Sequence, residues 1–218
     1  MAEVTAKMVA ELRELTGAGM MDCKRALVEA DGSIDKAQEL LAIKKKASIQ
    51  KKEGRIAAEG VVASYIHMGG KIGVLIEVNC ETDFVARTEK CQNFVKDVTL
   101  QIAAMAPVAI RKEDVAADLI EDQKRVYLGQ VTEEGKPAAM HEKIVAGKLN
   151  KWLQEICLLD QKWVKNPDKT IGDYLAETVG ETGEKISIRR FARYAMGEGI
   201  EKRSNDFAAE VAAAAGLQ

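Results

Sequence analysis

The sequence predicts an α+β fold: a three-helix bundle, a small three-stranded antiparallel sheet with helices and a helical hairpin, and a C-terminal helix. Three observations predict it. Residues 1–55 contain three stretches of helical period that are separated by glycines. Two apolar β runs flank Gly69-Gly70, which is a two-residue hairpin signal. Helical periodicity then returns after the second run, so helices are expected beside the sheet.

The first unit is predicted over residues 1–55. Thr5 caps its first helix, a second begins at Asp22, and Ser33 caps a third. The arrangement is similar to a ubiquitin-associated domain. Because such a small bundle buries few side chains, Met20 and Met21 are expected in a turn and partly exposed on the surface.

A basic stretch closes this unit. Residues 44–55 hold six Lys or Arg side chains and one Glu. A solvated helix end and linker is the first interpretation, because cations complement the C-terminal end of a helix dipole. Contact with RNA or the ribosome is the alternative, and the lack of interleaved aromatic residues weakens it.

The second unit is predicted over residues 56–200. Strands are expected at 61–68 and 71–79, and a helix follows that ends before Pro107. A helical hairpin, 114–130 and 138–156, projects as a short antiparallel coiled coil. After a break at Asn166-Pro167, Thr170 and Asp173 form a capping box for a helix to Val179. A third strand lies within 185–196, and residues 201–218 form a C-terminal helical module.

Phe84 is the most informative residue of the central unit. It follows the alternating strand that ends near Cys80, and charged residues follow it in turn. The ring therefore lies at a strand-to-helix corner. A buried core phenylalanine is one interpretation. The other is an aromatic ring that a rigid corner displays for insertion into a partner protein.

Composition limits the functional classes. A formal charge of −2 with 30% charged residues argues against a dedicated nucleic-acid binder, which is usually strongly basic. The N-terminus has no apolar signal-peptide core, and no stretch approaches the ~18 apolar residues of a membrane span. A protein of the cytoplasm or of an organelle matrix, with no membrane or direct nucleic-acid partner, is therefore expected.

The sequence does not predict an enzyme. It contains no G-x-S-x-G, Walker or H-E-x-x-H motif, so no catalytic residue is assigned. The four cysteines include no C-x-x-C pair, and the two histidines are not clustered with them. We therefore predict no metal site and no cofactor, and we interpret the cysteines as small buried apolar groups.

Three separated motifs carry a family resemblance. They are residues 16–24 (TGAGMMDCK), residues 77–85 (EVNCETDFV), and the pair 197–202 (GEGIEK) with 206–211 (DFAAEV). In this order they resemble the bacterial and organelle elongation factor Ts family, whose members exchange nucleotide on elongation factor Tu. Long members carry two copies of the core, whereas this sequence has one, so it resembles a short form.

The resemblance implies a function and a set of site residues. By similarity, Thr82, Asp83, Phe84 and Val85 enter the GTPase near its Mg²⁺ site. Phe84 acts there as a wedge, and Asp83 fixes the corner by capping or hydrogen bonding.

A second contact is implied for the N-terminal unit, where Arg13, Met20 and Met21 would grip a helix of elongation factor Tu in its GDP-bound or nucleotide-free form. Short forms tend to dimerise, so a homodimer through the core or the hairpin 114–156, giving a 2:2 complex, is also implied. A peptide-binding module of the ubiquitin-associated type remains an alternative.

Overall fold

The computed structural model describes residues 4–200, and of residues 45–51 it describes the backbone alone. The predicted α+β class is confirmed. The helices and strands follow in this order: α1 Ala6–Thr16, α2 Met20–Glu29, α3 Ile34–Glu53, β1 Glu59–His67, β2 Ile72–Cys80, α4 Asp83–Arg87, α5 Glu89–Met105, α6 Ala117–Glu133, α7 Ala138–Ile156, β3 Lys162–Trp163, β4 Asn166–Thr170, α8 Ile171–Thr182 and β5 Ile186–Ala195. The C-terminal helix predicted within 201–218 lies outside the described residues.

Helices α1 to α3 pack around an apolar core of their own. The Thr5 hydroxyl accepts a hydrogen bond from the Met8 amide at 3.3 Å, so α1 begins where the sequence predicts. The core contains Val9, Leu12, Cys23, Ala26, Leu27, Ala30 and Ala37. Helix α2, however, begins at Met20 and not at Asp22, because the backbone of Gly19 forms the N-cap without any side-chain bond. Met20 and Met21 therefore lie in a first helical turn.

The basic stretch is the end of helix α3, as predicted, but it does not act as a linker without contacts. Helix α3 continues to Glu53 through the basic stretch, and its end contacts the second unit. The Lys52 ammonium donates to the Val179 carbonyl oxygen at 3.3 Å, and the Lys185 ammonium donates to the carbonyl oxygens of Glu53 and Arg55 at 2.6 and 2.9 Å. The bond to Glu53 satisfies a carbonyl group that the end of α3 leaves unpaired. One helix thus joins the two predicted units.

The sheet has the antiparallel order β1-β2-β5. The turn between β1 and β2 has positive φ at Met68, Gly69 and Gly70, a geometry that glycine adopts without steric cost. As predicted, one face of β2 is apolar and packs inward, with Val74, Ile76 and Val78 buried. Helices α5 and α8 cover this inner face and supply Phe94, Val95, Val98, Ile102, Ile171, Tyr174 and Val179.

The helical hairpin is formed by α6 and α7. The second arm has the predicted bounds, whereas the first begins at Ala117, after a 3-10 turn at Lys112–Asp114. The arms are linked by the Lys148 ammonium, which lies 3.1 Å from a Glu134 carboxylate oxygen. Val131 and Val145 are buried.

The segment after the hairpin was not foreseen in detail. Strands β3 and β4 pair there as a short ribbon, and the predicted break at Pro167 lies inside β4. The buried Gln101 amide holds this ribbon, since it donates to the Lys162 carbonyl oxygen at 3.0 Å and accepts from the Val164 amide at 2.9 Å. The capping box of Thr170 and Asp173 is present as predicted.

Candidate protein-binding site

The corner that carries Phe84 joins β2 to α5 through the five-residue helix α4. Thr82 is the N-cap of α4: its backbone is extended, and its hydroxyl accepts from the Val85 amide at 3.4 Å. This start directs Val85 and Ala86 toward the core and leaves Phe84 on the outside, where 79% of its surface is exposed. The ring is therefore displayed, and the core interpretation of Phe84 is wrong.

Asp83 forms a hydrogen-bonded ion pair within the corner and does not supply its cap. Its carboxylate accepts from the Arg87 guanidinium at 2.9 Å, an ion pair one turn apart on the exposed side of α4. Such exposed pairs contribute about 0.3–0.5 kcal/mol on a helix. The capping bond comes from Thr82 instead.

Two carboxylates fasten the corner to the turn between α8 and β5. The Glu184 carboxylate accepts from the backbone amide of Thr82 at 3.0 Å and from its hydroxyl at 2.7 Å. In the reverse direction, the Glu81 carboxylate accepts from the Lys185 amide at 2.6 Å and from the Arg55 guanidinium at 3.2 Å. The Lys185 amide and then Arg55 hold the pKa of Glu81 below its usual value. The corner is thus tied to residues about a hundred positions away.

Sequence reasoning missed Glu81, Glu184 and Lys185. The only local signal is Gly183, which ends α8 in the left-handed conformation and so marks a tight turn before β5. That signal does not show which segment of the chain Glu184 and Lys185 contact.

The N-terminal residues implied by resemblance come together on a second surface. Arg13, Met20 and Met21 line a groove of about 630 Å³ between α1 and α2, which we call the bundle groove. The methionines are 58% and 65% exposed. The other residues that line the bundle groove are Val4, Ala6, Val9, Ala10, Glu14 and Lys24. An apolar floor with a cationic edge and adaptable Met side chains is typical of a protein interface.

The face of the sheet opposite the core carries exposed apolar side chains among polar ones. Val62, Ile66, Leu75 and Tyr194 are exposed there, and the strand register places Leu75 next to Ala192 and Tyr194 next to Gly73. We call this surface the outer sheet face. Several large apolar side chains exposed on one face of a sheet are typical of a protein contact site.

The rest of the described chain offers little chemistry. All four cysteines are buried and free, in agreement with their interpretation as apolar groups. Within residues 4–200, no three His, Cys, Asp or Glu side chains are placed to hold a metal ion. Over the same residues, no helix combines the length and apolarity needed to cross a bilayer.

A displayed aromatic ring, an adaptable groove and an apolar sheet face are features of the class of proteins that act by binding other proteins. Comparison with known proteins identifies the family. The family model described as Elongation factor TS matches residues 1–198.

Curated relatives agree with this match. The chain is 55% identical to "Elongation factor Ts" of Geobacter sulfurreducens over 98% of this chain and 99% of the relative. It is 56% identical to the protein of that name from Anaeromyxobacter sp. strain K over the full length of both. The Desulforamulus reducens protein of that name is 55% identical over 98% of each chain. The chain belongs to the elongation factor Ts family and is a translation elongation factor.

Proposed function

We propose that this protein is a guanine nucleotide exchange factor for elongation factor Tu. It binds the GDP-bound GTPase, disturbs the Mg²⁺ and phosphate site, and releases GDP so that GTP can bind. The single observation that carries the proposal is the exposed Phe84 ring on a fixed corner, in a chain of the elongation factor Ts family.

The wedge explains how release occurs without covalent chemistry. A GTPase holds GDP through contacts to its phosphates and through Mg²⁺, which bridges phosphate oxygens and protein ligands. Phe84 enters between elements that support the metal, so several favourable contacts are lost together. The protein supplies binding energy only and is not an enzyme in its own right.

Exchange requires a difference in affinity. A factor that bound the GDP-bound and nucleotide-free forms equally well would shift no equilibrium. Phe84 provides this difference in affinity because the site that it enters on elongation factor Tu opens when the nucleotide leaves. By reciprocity, an incoming GTP weakens the factor's affinity and expels it.

The bundle groove supplies a second contact. An amphipathic helix of the GTPase lies along Met20 and Met21, and the Arg13 guanidinium pairs with a carboxylate on that helix. This arrangement uses the groove's apolar floor and cationic edge. Binding at two separated surfaces fixes the orientation of the wedge.

The outer sheet face is proposed as a homodimer contact, which gives a 2:2 complex with elongation factor Tu. Ile66, Leu75 and Tyr194 lie toward one end of this face, and Glu77, which pairs with the Arg189 and Arg190 guanidiniums, lies beside Val62 toward the other. Interfaces between protein chains combine exposed apolar side chains with polar groups in this way. The dimer acts in the cytoplasm, or in the matrix if the source is an organelle.

A direct test mixes the protein with elongation factor Tu that carries fluorescent GDP and follows the release of the nucleotide. Acceleration that saturates with protein concentration is expected. Unchanged release, with a complex still detected by gel filtration, would overturn the exchange proposal and leave only a binding role.

A further inference from the structure

Glu184 contacts the Phe84-bearing corner from a distant part of the chain. It lies half-buried in the turn between α8 and β5, where Gly183 precedes it. Its two carboxylate oxygens accept separately from the Thr82 amide, at 3.0 Å, and from the Thr82 hydroxyl, at 2.7 Å. These two bonds saturate both donors of the residue that begins α4.

We infer that Glu184 is the positioning residue for the Phe84 ring, an inference that rests on the exchange function proposed above. A five-residue helix does not hold its own direction, because forming the first turn of a helix is unfavourable. The direction of α4 is therefore set by its ends and by the packing of Val85 and Ala86 against the core. At the N-terminal end, the N-cap hydroxyl of Thr82 is itself oriented by Glu184.

The geometry links the carboxylate to the ring in two steps. The Thr82 hydroxyl points its proton at Glu184, which leaves an oxygen lone pair toward the Val85 amide. Without a hydrogen-bonding group at position 184, the hydroxyl rotates freely, the cap weakens, and the Thr82 amide loses its partner. Phe84 lies between Thr82 and Val85, so the ring loses its fixed position.

A contribution through charge is the competing explanation, since a carboxylate near the wedge also affects the approach of a charged partner. Two variants separate these roles. Glu184→Gln and Glu184→Leu both remove the charge, but only Gln retains hydrogen bonding. Its carbonyl oxygen accepts from the Thr82 amide, and its amide group donates to the Thr82 hydroxyl oxygen.

The positioning role predicts different results for the two variants. With Glu184→Leu, the maximal rate of GDP release at saturating protein falls at least tenfold. The concentration for half-maximal effect changes less than threefold, because the bundle groove is intact. With Glu184→Gln, the maximal rate stays within about threefold of the unaltered protein. Equal losses in both variants would show a charge effect and overturn the inference.

A double-mutant cycle tests whether Glu184 acts through the Phe84 ring. In a Phe84→Ala background, Glu184→Leu is expected to change the rate less than twofold, since no ring remains to be positioned. A full tenfold loss in that background would mean that Glu184 acts elsewhere, and the inference would fail.

Hydrogen exchange on the isolated protein tests the inference without elongation factor Tu. Glu184→Leu should speed hydrogen exchange of the Thr82 and Val85 amides at least tenfold and leave the Ile76 amide in β2 unchanged. In Glu184→Gln, the exchange rates of all three amides should be unchanged. Unchanged corner amides, or an equal increase at Ile76, would refute positioning. If the unaltered protein fails to release GDP, the exchange function fails, and this measurement still decides whether Glu184 holds the corner.

Discussion

The Phe84→Ala variant distinguishes a ring that inserts into the partner protein from a ring that stabilises the fold. The ring is 79% exposed, so about a fifth of its surface is buried. A core Phe→Ala change costs about 3–5 kcal/mol, and a fifth of that is ~1 kcal/mol or less. For a chain of this size, such a loss lowers Tm by about 2–4 °C at most.

The effect on exchange should be much larger than the effect on stability. Aromatic anchors at protein interfaces contribute ~2 kcal/mol or more, which corresponds to roughly a 30-fold slower release of GDP. Stopped-flow fluorescence with GDP-loaded elongation factor Tu measures the rate, and calorimetry measures Tm.

Phe94 provides the matched control. Its ring is fully buried in the core beneath the sheet, so Phe94→Ala should cost about 3–5 kcal/mol and lower Tm by about 6–20 °C. If Phe84→Ala melts as early as this control, the ring stabilises the fold and does not act as a wedge. Normal exchange by a stable Phe84→Ala protein would refute the wedge as well.

Four further results are expected. Met21→Ser should weaken the complex about tenfold by calorimetry and leave Tm unchanged, because this side chain packs at the surface of the bundle groove. Chelation of Mg²⁺ should shrink the acceleration of GDP release, and undiminished acceleration would point to the phosphate contacts instead. Leu75→Lys should shift the mass measured by light scattering from a dimer to a monomer near 23.8 kDa, while a mass near 23.8 kDa for the unaltered protein would exclude the dimer. Burial raises the pKa of the Cys91 thiol from 9.0 to about 11, so this group's contribution to stability is complete below pH 9 and is lost as the pH rises through about 11. Urea titrations across this range should therefore show a flatter decline for Cys91→Ala.

The sequence predicts those helices and strands in which the periodic pattern of apolar side chains is long and regular. The alternation of Val74, Ile76 and Val78 identified the inner face of β2, and α7 has its predicted bounds. Side-chain caps such as Thr5 and Thr170 also located helix starts. In each case the evidence is local, because the residues that decide the structure are within a few positions of each other.

Features that depend on distant partners were not predictable in this way. The basic run at the end of α3 resembles a solvated linker until Lys185, some 130 residues later, caps its final carbonyl groups. The start of α2 at Met20 depends on backbone geometry at Gly19 and not on a capping side chain. Strand β3 has two residues and therefore no period. At the candidate site, Phe84 is recognisable in the sequence as a single aromatic residue at a strand-to-helix corner. Glu184 has no such local signal, because charged residues are common in turns.

Because α3 is one continuous helix, its number of residues sets the position of the bundle groove relative to the corner that carries Phe84. An α-helix rises about 1.5 Å and turns about 100° per residue, so 20 residues span roughly 30 Å. Inserting one residue in the middle would rotate the bundle groove by about 100° around the helix axis, whereas inserting four would rotate it by only about 40° net and move it about 6 Å farther away. If both surfaces bind elongation factor Tu as proposed, the length of α3 sets the separation and the angle at which they meet the partner.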